Sequence, residues 1–306
     1  MTLPQPEIDP RGPRQPKPAW LKVKVPRGER YQWIRDRAHT LQLATVCEEA
    51  RCPNIAECWQ SGTATFMLMG EVCTRGCRFC SVRTAKAPPA LDAEEPLKIA
   101  ETIREMALDY VVLTMVNRDD LADQGAGHVA ETIRRAQLAS PDLLIEVLIG
   151  DFQGDMALVQ QVIDAAPAVL AHNLETVERL TEIVRDPRAG YRQSLDVLAG
   201  AKQRAPHLPT KSSLMLGLGE RTDEVLTTMA DLRAVGVEFL TLGQYLQPDR
   251  RNLRVVEFIP PEQFDALAQA GRDMGFRYVA AGPLVRSSYK AAEFYISQTL
   301  RGQSAP

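Results

Sequence analysis

The amino-acid sequence predicts an α/β fold, namely a partial (β/α)6 TIM barrel with N-terminal and C-terminal extensions. From residue 63 onward, short apolar runs alternate with longer segments of helical periodicity. Strands and helices in such a series form a parallel sheet with right-handed crossovers. Six or seven strand–helix units are too few to close an eight-stranded barrel, so we expect an open one.

The predicted strands are short apolar runs that contain β-branched residues. They cover residues 63–70, 109–116, 143–150, 169–175, 210–219 and 239–246, and a last apolar run spans 278–285. Runs of this kind are typical of strands that are buried on both faces in a parallel sheet.

Helices are predicted between these strands. They cover 96–108, 127–138, 155–165 and 191–205, the segment after 219, and a segment that Pro261 opens and Gly275 ends. In the first helix, Ile99, Ile103 and Met106 share one face. In the helix after 219, Asp223 and Glu224 occupy the first turn, and Gly236 is the predicted stop.

The chain is expected to have four parts. Residues 1–30 are rich in proline and charge, which predicts an extended, partly disordered arm. Residues 31–62 form an N-terminal extension that carries cysteines, 63–280 the barrel, and 281–306 a C-terminal extension.

Composition excludes some classes of partner. The net charge of −3 gives no reason to expect nucleic acid. No apolar run approaches the roughly 20 residues of a membrane span, and the N-terminal residues lack the apolar segment of a signal peptide. We therefore expect a cytoplasmic protein without a membrane partner.

Polar residues collect where the predicted strands end, which is where barrels of this type place their active sites. They are Asn117, Arg118, Asp119, Asn173, Glu175, Glu220 and Gln244. For any single one of them, a role as a capping or loop residue is the alternative.

All six cysteines fall into two triplets, Cys47-Cys52-Cys58 and Cys73-Cys77-Cys80. Clustered thiolates select zinc, copper(I) or iron–sulfur centres. Each triplet is one ligand short of a closed four-thiolate site, and an iron–sulfur cluster held by three cysteines keeps one iron open. Disulfides and structural zinc are the alternatives, although zinc sites usually show paired CxxC or histidine motifs.

The second triplet, CTRGCRFC, directly follows the first predicted strand. A tight CxxxCxxC loop can hold three corners of one cubane, and Gly76 is expected to let the backbone turn closely. This motif in this position resembles the radical S-adenosylmethionine superfamily. The resemblance implies that S-adenosylmethionine chelates the fourth iron and is cleaved to a 5′-deoxyadenosyl radical. It also implies that Phe79 lies near the adenine.

The first triplet, written TVCEEARCPNIAECW, resembles the N-terminal motif of the lipoyl synthase family. The likeness covers about residues 18–295 and includes NRDDLADQGA, EVLIGDFQG, HNLETVERL, TKSSLMLGLGE, TLGQYLQP and GPLVRSSYKA. It implies that two sulfur atoms are inserted at C6 and C8 of a protein-bound octanoyl-lysine.

The resemblance also implies a ligand set. Cys47, Cys52 and Cys58 would hold a second, auxiliary [4Fe-4S] cluster, which is consumed as the sulfur source. Its fourth ligand would be Ser288 of the RSSY motif, with Ser287 as the alternative, and Arg286 would orient that loop. Without the resemblance, the serines would be expected to cap a C-terminal helix.

Contacts to S-adenosylmethionine are carried over from the same motifs. Asn173, Glu175 and Lys211 are expected to bind its ribose or methionine end, and Arg118 and Asp119 lie at the same face. For Lys211 and Arg286, an ordinary ion pair near a strand end is the alternative.

Partners follow from the resemblance. They are an octanoylated lipoyl-carrier domain (2-oxoacid dehydrogenase E2 or glycine cleavage H protein), a ferredoxin or flavodoxin reductant, and an iron–sulfur carrier for cluster repair. Departures from the family's pattern occur at Asn117, Gln124, Ser213 and Asn252, the last replacing a usual histidine. Another two-cluster radical sulfur-inserting enzyme and a zinc-stabilised interaction protein remain alternative functions.

Overall fold

The computed structural model describes residues 16–22, 29–41, 43–49, 52, 54–60 and 65–288. Most of the predicted N-terminal arm and the segment from Tyr289 onward lie outside these residues. The alternative role of the serines as caps of a C-terminal helix therefore lies outside the described residues too.

The strands of the described residues are β1 (Ala44–Thr45), β2 (Thr65–Leu68), β3 (Val72–Cys73), β4 (Arg83–Thr84), β5 (Tyr110–Met115), β6 (Leu144–Leu148), β7 (Val169–Ala171), β8 (Thr210–Leu216), β9 (Phe239–Gln244) and β10 (Tyr278–Gly282). The α-helices are α1 (Glu29–Thr40), α2 (Val46–Glu49), α3 (Ile55–Gln60), α4 (Glu95–Met106), α5 (Ala126–Ala139), α6 (Met156–Ile163), α7 (Thr181–Val184), α8 (Tyr191–Arg204), α9 (Thr222–Ala234) and α10 (Pro261–Asp273). Single 3-10 turns lie at Ala19–Leu21, Phe152–Gly154 and Glu178–Leu180.

The main sheet has eight strands in the order β1-β2-β5-β6-β7-β8-β9-β10. All neighbours from β2 to β10 pair in parallel, whereas β1 pairs antiparallel with β2. Within the described residues β10 does not pair with β1 or β2, so the barrel is open. The predicted partial barrel is confirmed. The two-residue strand β1 was not predicted, because an element this short leaves no periodicity in the sequence.

Each predicted strand ends earlier in the structure than its apolar run. The clearest case is β7, predicted to reach residue 175, which ends at Ala171. Glu175 makes only an isolated bridge to Leu214 and has a φ of 68°. Residues beyond Ala171 therefore leave the sheet and form the rim of the barrel.

Local side-chain contacts set the helix ends. The Asp155 side chain accepts a hydrogen bond from the Ala157 N–H and so caps α6. At the start of α9, the Glu224 carboxylate accepts from the Arg221 N–H at 2.8 Å. Gly236 follows α9 with a φ of 86°, as the predicted stop requires.

Two layers of apolar side chains hold the barrel together. Helix side chains such as Ile99, Ile103 and Ile133 are fully buried in the larger core. Inside the barrel, Tyr110, Val112, Val169 and Phe239 form a separate cluster. Tyr110, Val169 and Phe239 are the first residues of their strands, so this cluster closes the amino-terminal end and leaves the carboxyl end for a site.

None of the helices in the described ranges is both long and apolar enough to cross a membrane.

Candidate functional site

A cavity of about 620 Å³ opens at the carboxyl ends of the strands. Both cysteine triplets contribute to it: its lining includes Cys52, Cys58, Cys73, Cys77 and Cys80. Cys47 lies in α2, and its side chain is outside the described structure. The two segments are therefore neighbours across the mouth of the barrel, as two centres acting on one substrate would have to be.

Backbone N–H groups point at the sulfur atoms of the CxxxCxxC loop. The N–H groups of Arg75 and Asn117 donate to Cys73 Sγ, at 3.4 and 3.3 Å. The Asp186 N–H donates to Cys77 Sγ at 3.3 Å. Such donors stabilise thiolates, which are the form that binds metal.

The donor set of this loop fits an iron–sulfur cluster. No disulfide joins any of the five cysteines whose side chains are described, which is against the disulfide alternative. In the described part of the chain, no three His, Cys, Asp or Glu side chains are grouped around a single metal ion. Burial raises the pKa of Cys77 to about 11 and that of Cys80 to about 12, so binding a metal group would have to release protons.

Gly76 does not act as expected. Its φ is not positive, and a Cβ there would lie 3.9 Å from Asp186 Oδ2, which is ordinary contact. What the position does supply is its N–H, which donates to Asp186 Oδ2 at 2.8 Å.

Arg75, between the first two cysteines, anchors the loop to the ends of two strands. Its guanidinium is 2% exposed and contacts Asp119 at 2.8 Å and Asp151 at 2.7 Å. Asp119 also accepts from Thr74 Oγ1 at 2.6 Å. Although burial opposes it, hydrogen bonds from Arg75 and Thr74 lower the pKa of Asp119 to about 2.

The prediction that Asp119 contacts S-adenosylmethionine gains no support from this arrangement. Its carboxylate is committed to Arg75 and Thr74, and it does not line the cavity. Arg118 likewise pairs with Asp120 at 2.8 Å and is not among the residues that line the cavity.

A second anchor comes from the loop between α7 and α8. Arg188 Nη2 donates to the Thr74 carbonyl at 2.8 Å, and Arg188 also pairs with Asp186 at 2.8 Å. Sequence reasoning missed Arg75, Asp151, Asp186 and Arg188. For Arg75 and Asp151, the available signal was that opposite charges lie in the cysteine loop and directly after a predicted strand.

Asn173 and Glu175 lie together in the cavity, where the sequence placed them. Asn173 Nδ2 donates to Glu175 Oε1 at 3.1 Å. Burial raises the pKa of Glu175, and the nearby charge of Arg185 acts in the opposite direction. Phe79 lines the same cavity.

A hydrogen-bonded chain that was not predicted runs along one side of the cavity. Arg185 Nη1 donates to Ser194 Oγ at 2.9 Å, and Ser194 Oγ lies 2.9 Å from His172 Nε2. His172 Nδ1 is 3.0 Å from the carbonyl oxygen of Ile149, which can only accept. Nδ1 therefore carries the proton and Nε2 accepts from Ser194. Burial lowers the pKa of His172 to about 4, so this histidine is neutral.

Lys211, which was predicted to bind S-adenosylmethionine, does not line the cavity. It is the second residue of β8, at the end of the strand opposite the cavity, and its side chain is 1% exposed. Its ammonium contacts both Glu146 oxygens, at 2.7 and 2.8 Å, and Tyr110 also donates to Glu146 at 2.6 Å. Lys211 therefore belongs to a buried polar cluster in the barrel interior.

Two further polar residues support loops, as the capping alternative stated. Glu220 accepts from the N–H groups of Gly217 and Leu218. The Gln244 amide donates to the carbonyls of Leu216, Tyr245 and Glu257. Neither side chain has its polar groups free for a ligand.

The C-terminal segment reaches the cavity and brings both candidate serine ligands with it. Arg286, Ser287 and Ser288 line the cavity together with Cys52 and Cys58. Arg286 Nη1 donates to the Gln244 carbonyl at 3.0 Å, which ties the segment to the end of β9. Burial lowers the pKa of Arg286, opposed by the charge of Cys52.

The departures from the family's pattern have structural roles here. Asn117 and Ser213 line the cavity, and Gln124 Nε2 donates to the Phe152 carbonyl at 3.2 Å. Asn252 Nδ2 donates to the carbonyls of Arg78 and Cys80, at 3.2 and 2.7 Å.

Solved structures with similar folds include other enzymes. Methylornithine synthase matches with a TM-score of 0.56 and 14% identity, covering 80% of this chain and 74% of that one. The FeFe-hydrogenase maturase HydG from Carboxydothermus hydrogenoformans matches with a TM-score of 0.55 and 16% identity, covering 81% and 65%. At these identities the likeness concerns the fold alone.

Family models and curated relatives give a narrower result. The model of the Radical SAM superfamily matches residues 67–232, and that of the N-terminal domain of lipoyl synthase matches residues 8–52. Lipoyl synthase of Anaeromyxobacter sp. (strain Fw109-5) is 60% identical over 289 residues, covering 94% of this chain and 97% of the relative. Mitochondrial lipoyl synthase of Culex quinquefasciatus is 54% identical, covering 94% and 77%. The chain therefore belongs to the lipoyl synthase family of the radical S-adenosylmethionine superfamily.

Proposed function

We propose that this chain is a lipoyl synthase, which inserts two sulfur atoms at C6 and C8 of an octanoyl chain held on a lysine of a carrier domain. The observation that carries the proposal is one cavity lined by cysteines of both triplets and by Ser288. A radical centre and a sulfur source must both reach the same carbon atoms, and a shared cavity allows this.

Membership of the superfamily implies a [4Fe-4S] cluster and S-adenosylmethionine. We assign Cys73, Cys77 and Cys80 as the cluster's protein ligands. When bound, this cluster supplies the electron that cleaves S-adenosylmethionine to the 5′-deoxyadenosyl radical, which can take a hydrogen atom from an unactivated carbon.

The chain's own residues prepare that loop. Backbone N–H groups of Arg75, Asn117 and Asp186 already point at the Cys73 and Cys77 sulfurs. Arg75 fixes the loop to the strand ends through Asp119 and Asp151. Because these contacts already hold the CxxxCxxC loop in place, the loop does not have to become ordered during the reaction.

We assign Phe79, Asn173 and Glu175 to the binding of S-adenosylmethionine. All three line the cavity next to the cysteine loop. A buried carboxylate such as Glu175 gains from a ligand that offers a cationic or hydroxyl group. Phe79 offers a flat apolar surface on which an adenine can stack.

The second cluster is proposed as a substrate, because its sulfide is consumed. We assign Cys47, Cys52, Cys58 and Ser288 as its ligands. A serine oxygen is a hard ligand among soft ones and is the easiest of the four to displace. Arg286 holds the serine-bearing segment at the end of β9.

The remaining lining fits an aliphatic chain. Met67, Met115, Leu148 and Met215 face the cavity from four strands. Burying methylene groups against such side chains contributes about 0.8 kcal/mol for each CH₂. The protein partner is then an octanoylated carrier domain of a 2-oxoacid dehydrogenase or of glycine cleavage. We further propose that a ferredoxin or flavodoxin is the reductant and that an iron–sulfur carrier repairs the second cluster. We also propose a cytoplasmic location.

Anaerobic turnover tests this function. The reconstituted protein is incubated with dithionite, S-adenosylmethionine and an octanoylated lysine peptide, and the product is analysed by mass spectrometry. We expect about eight irons per chain, as two cubanes require, and a product with two added sulfurs. A Cys73→Ala variant should form no 5′-deoxyadenosine. A colourless protein that is saturated by zinc, or a methylthiolated product, would refute the proposal.

A further inference from the structure

A buried asparagine joins the two segments that carry the proposed ligands of the second cluster. Asn54 lies between Cys52 and Cys58, and its Nδ2 donates a 2.6 Å hydrogen bond to the carbonyl oxygen of Leu284. The two residues are 230 positions apart in the chain. This bond ties the cysteine loop directly to the segment that carries Ser288.

Asn54 is itself held in place. It is 5% exposed, and its backbone carbonyl accepts from the Cys58 N–H at 3.0 Å, so it precedes the helix that carries Cys58. At such a position the side-chain oxygen of an asparagine can cap its own helix, which leaves the side-chain nitrogen available as a donor. Here the Nδ2 donates to a distant segment, which indicates a role between segments.

The other side of the same segment is fixed by the barrel. A Cβ on Gly243 would lie 2.1 Å from the Val285 carbonyl oxygen, so the segment passes directly over the end of β9. Arg286 adds its hydrogen bond to the Gln244 carbonyl at 3.0 Å. Contacts with the barrel thus fix the distance of the segment from the end of β9. The hydrogen bond from Asn54 fixes the position of the segment relative to the cysteines.

We propose that Asn54 is a positioning residue that holds Ser288 against the iron that Cys47, Cys52 and Cys58 leave open. The inference rests on the proposed function, because it takes Ser288 as a ligand of the second cluster. A serine oxygen binds iron more weakly than a thiolate, so its binding depends more on a high effective concentration at the iron. The hydrogen bond from Asn54 to Leu284, a few residues before Ser288, provides that effective concentration.

The test uses Asn54→Asp in the full, reconstituted chain. Aspartate keeps the shape of asparagine, but it cannot donate to Leu284 and places a charge beside a carbonyl oxygen. Release of iron to a chelator is followed without oxygen, and the phase that Ser288→Ala accelerates is taken as the second cluster. We expect Asn54→Asp to accelerate that phase roughly 2- to 10-fold.

A double variant shows whether Asn54 acts through the serine. Asn54→Asp combined with Ser288→Ala should release iron no faster than Ser288→Ala alone. Gln137→Glu is the matched control, because Gln137 Nε2 also donates to a backbone carbonyl (Ala166, 2.9 Å) but lies in α5, away from the cavity lining. It should behave as the wild type.

Amide hydrogen exchange over residues 283–288, measured before reconstitution, follows the tether without any cluster. Asn54→Asp should increase exchange there and Gln137→Glu should not. The inference alone would be overturned if Asn54→Asp released iron and exchanged its amides at wild-type rates. It would also be overturned if the effects of Asn54→Asp and Ser288→Ala on iron release multiplied in the double variant. A wild-type protein that binds only about four irons would overturn the proposed function and the inference together.

Discussion

Asn252 donates its side-chain amide to the carbonyl oxygen of Cys80, the last cysteine of the CxxxCxxC loop, at 2.7 Å. The same Nδ2 lies 3.2 Å from the Arg78 carbonyl, and the Leu253 N–H donates to that oxygen at 3.1 Å. The segment after β9 therefore braces the end of the cysteine loop that carries Arg78 and Cys80. The resemblance to the family predicts a histidine in this stretch, and here Asn252 acts as a donor to two carbonyls.

Replacing Asn252 by Asp should weaken the binding of the cluster that Cys73, Cys77 and Cys80 are proposed to hold. The variant loses both donors and brings a carboxylate close to two carbonyl oxygens. A hydrogen bond of this kind contributes about 1 kcal/mol, so iron should be released from that cluster roughly 5-fold faster or more. The measurement is chelation of iron together with the rate of 5′-deoxyadenosine formation, which should fall. Unchanged values for both would mean that the loop does not need this brace.

Removing Asp151 should destabilise the protein even before any cluster binds. Asp151 is buried with 0% exposure of its side chain, and Arg75 would be left with Asp119 as its partner. Asp151→Ala removes a charge-assisted hydrogen bond from the buried guanidinium, and we expect a loss of about 2–3 kcal/mol in the free energy of unfolding. Urea denaturation of the cluster-free protein, followed by circular dichroism, measures this.

The control for Asp151 is an exposed pair. Glu178 and Arg192 contact each other at 3.0 Å, with side chains that are 56% and 66% exposed. Glu178→Ala should leave the urea midpoint nearly unchanged, because solvent screens such pairs. Equal shifts in both variants would show that burial of the Arg75 pair is not what matters.

His172 should make stability depend on pH between about 6.5 and 4. Its pKa is about 4 in the folded protein, below the usual value of about 6.5, so in this range the unfolded chain binds a proton that the folded chain does not. Above about pH 6.5, His172 therefore does not reduce the free energy of unfolding. As the pH falls from about 6.5 to 4, the free energy of unfolding decreases by at most about 3 kcal/mol because of this group.

A His172→Gln variant tests this by unfolding at several pH values. Glutamine cannot take up the proton, so its stability should fall less steeply than that of the wild type between pH 6.5 and 4. If the two curves stay parallel, His172 is protonated in the folded protein and the assigned proton positions are wrong.

Lys211 should matter for stability and little for ligand binding. Lys211→Met leaves Glu146 without its cation inside the barrel, and we expect a loss of about 3–5 kcal/mol. Combining it with Glu146→Leu should recover most of that loss, because an apolar pair needs no compensation. Binding of S-adenosylmethionine to the reconstituted double variant, measured by equilibrium dialysis, should match the wild type. A large loss of binding would return Lys211 to the site.

Ser288→Ala should separate the two halves of the proposed reaction. Cleavage of S-adenosylmethionine should remain largely intact, because the CxxxCxxC loop is untouched, and sulfur insertion should stop. Ser287→Ala is the matched control and should retain insertion. The opposite pattern between the two serines would move the ligand to Ser287, and loss of cleavage with surviving insertion would reverse the roles of the two triplets.

The order of helices and strands was predictable because it depends on local periodicity. Helix α4 was predicted from the spacing of Ile99, Ile103 and Met106, and all three are buried. The strand ends were less accurate. At β7, the residues after Ala171 read HNLE and leave the sheet to form the cavity rim. His172, Asn173 and Leu174 are nevertheless buried, because this rim lines a cavity instead of facing solvent.

The functional site was likewise predicted in part from the sequence. The cysteines and serines were found from their motifs, and Cys52, Cys58, Cys73, Cys77, Cys80 and both serines do line one cavity. Asp119 and Lys211, both predicted to bind S-adenosylmethionine, lie outside the cavity lining for different reasons. Asp119 lies at the correct end of the barrel but is taken by Arg75, and Lys211 begins its strand instead of ending it.

By itself, the sequence determined the succession of elements, the thiolate chemistry and the family. Those depend on residue type and on spacing along the chain, which folding does not change. Only the tertiary structure decided which charges neutralise one another and which remain for a ligand. Arg75 meets Asp151, and Asn54 meets Leu284, because the barrel brings distant segments within hydrogen-bonding distance. No pattern along the chain encodes that proximity directly.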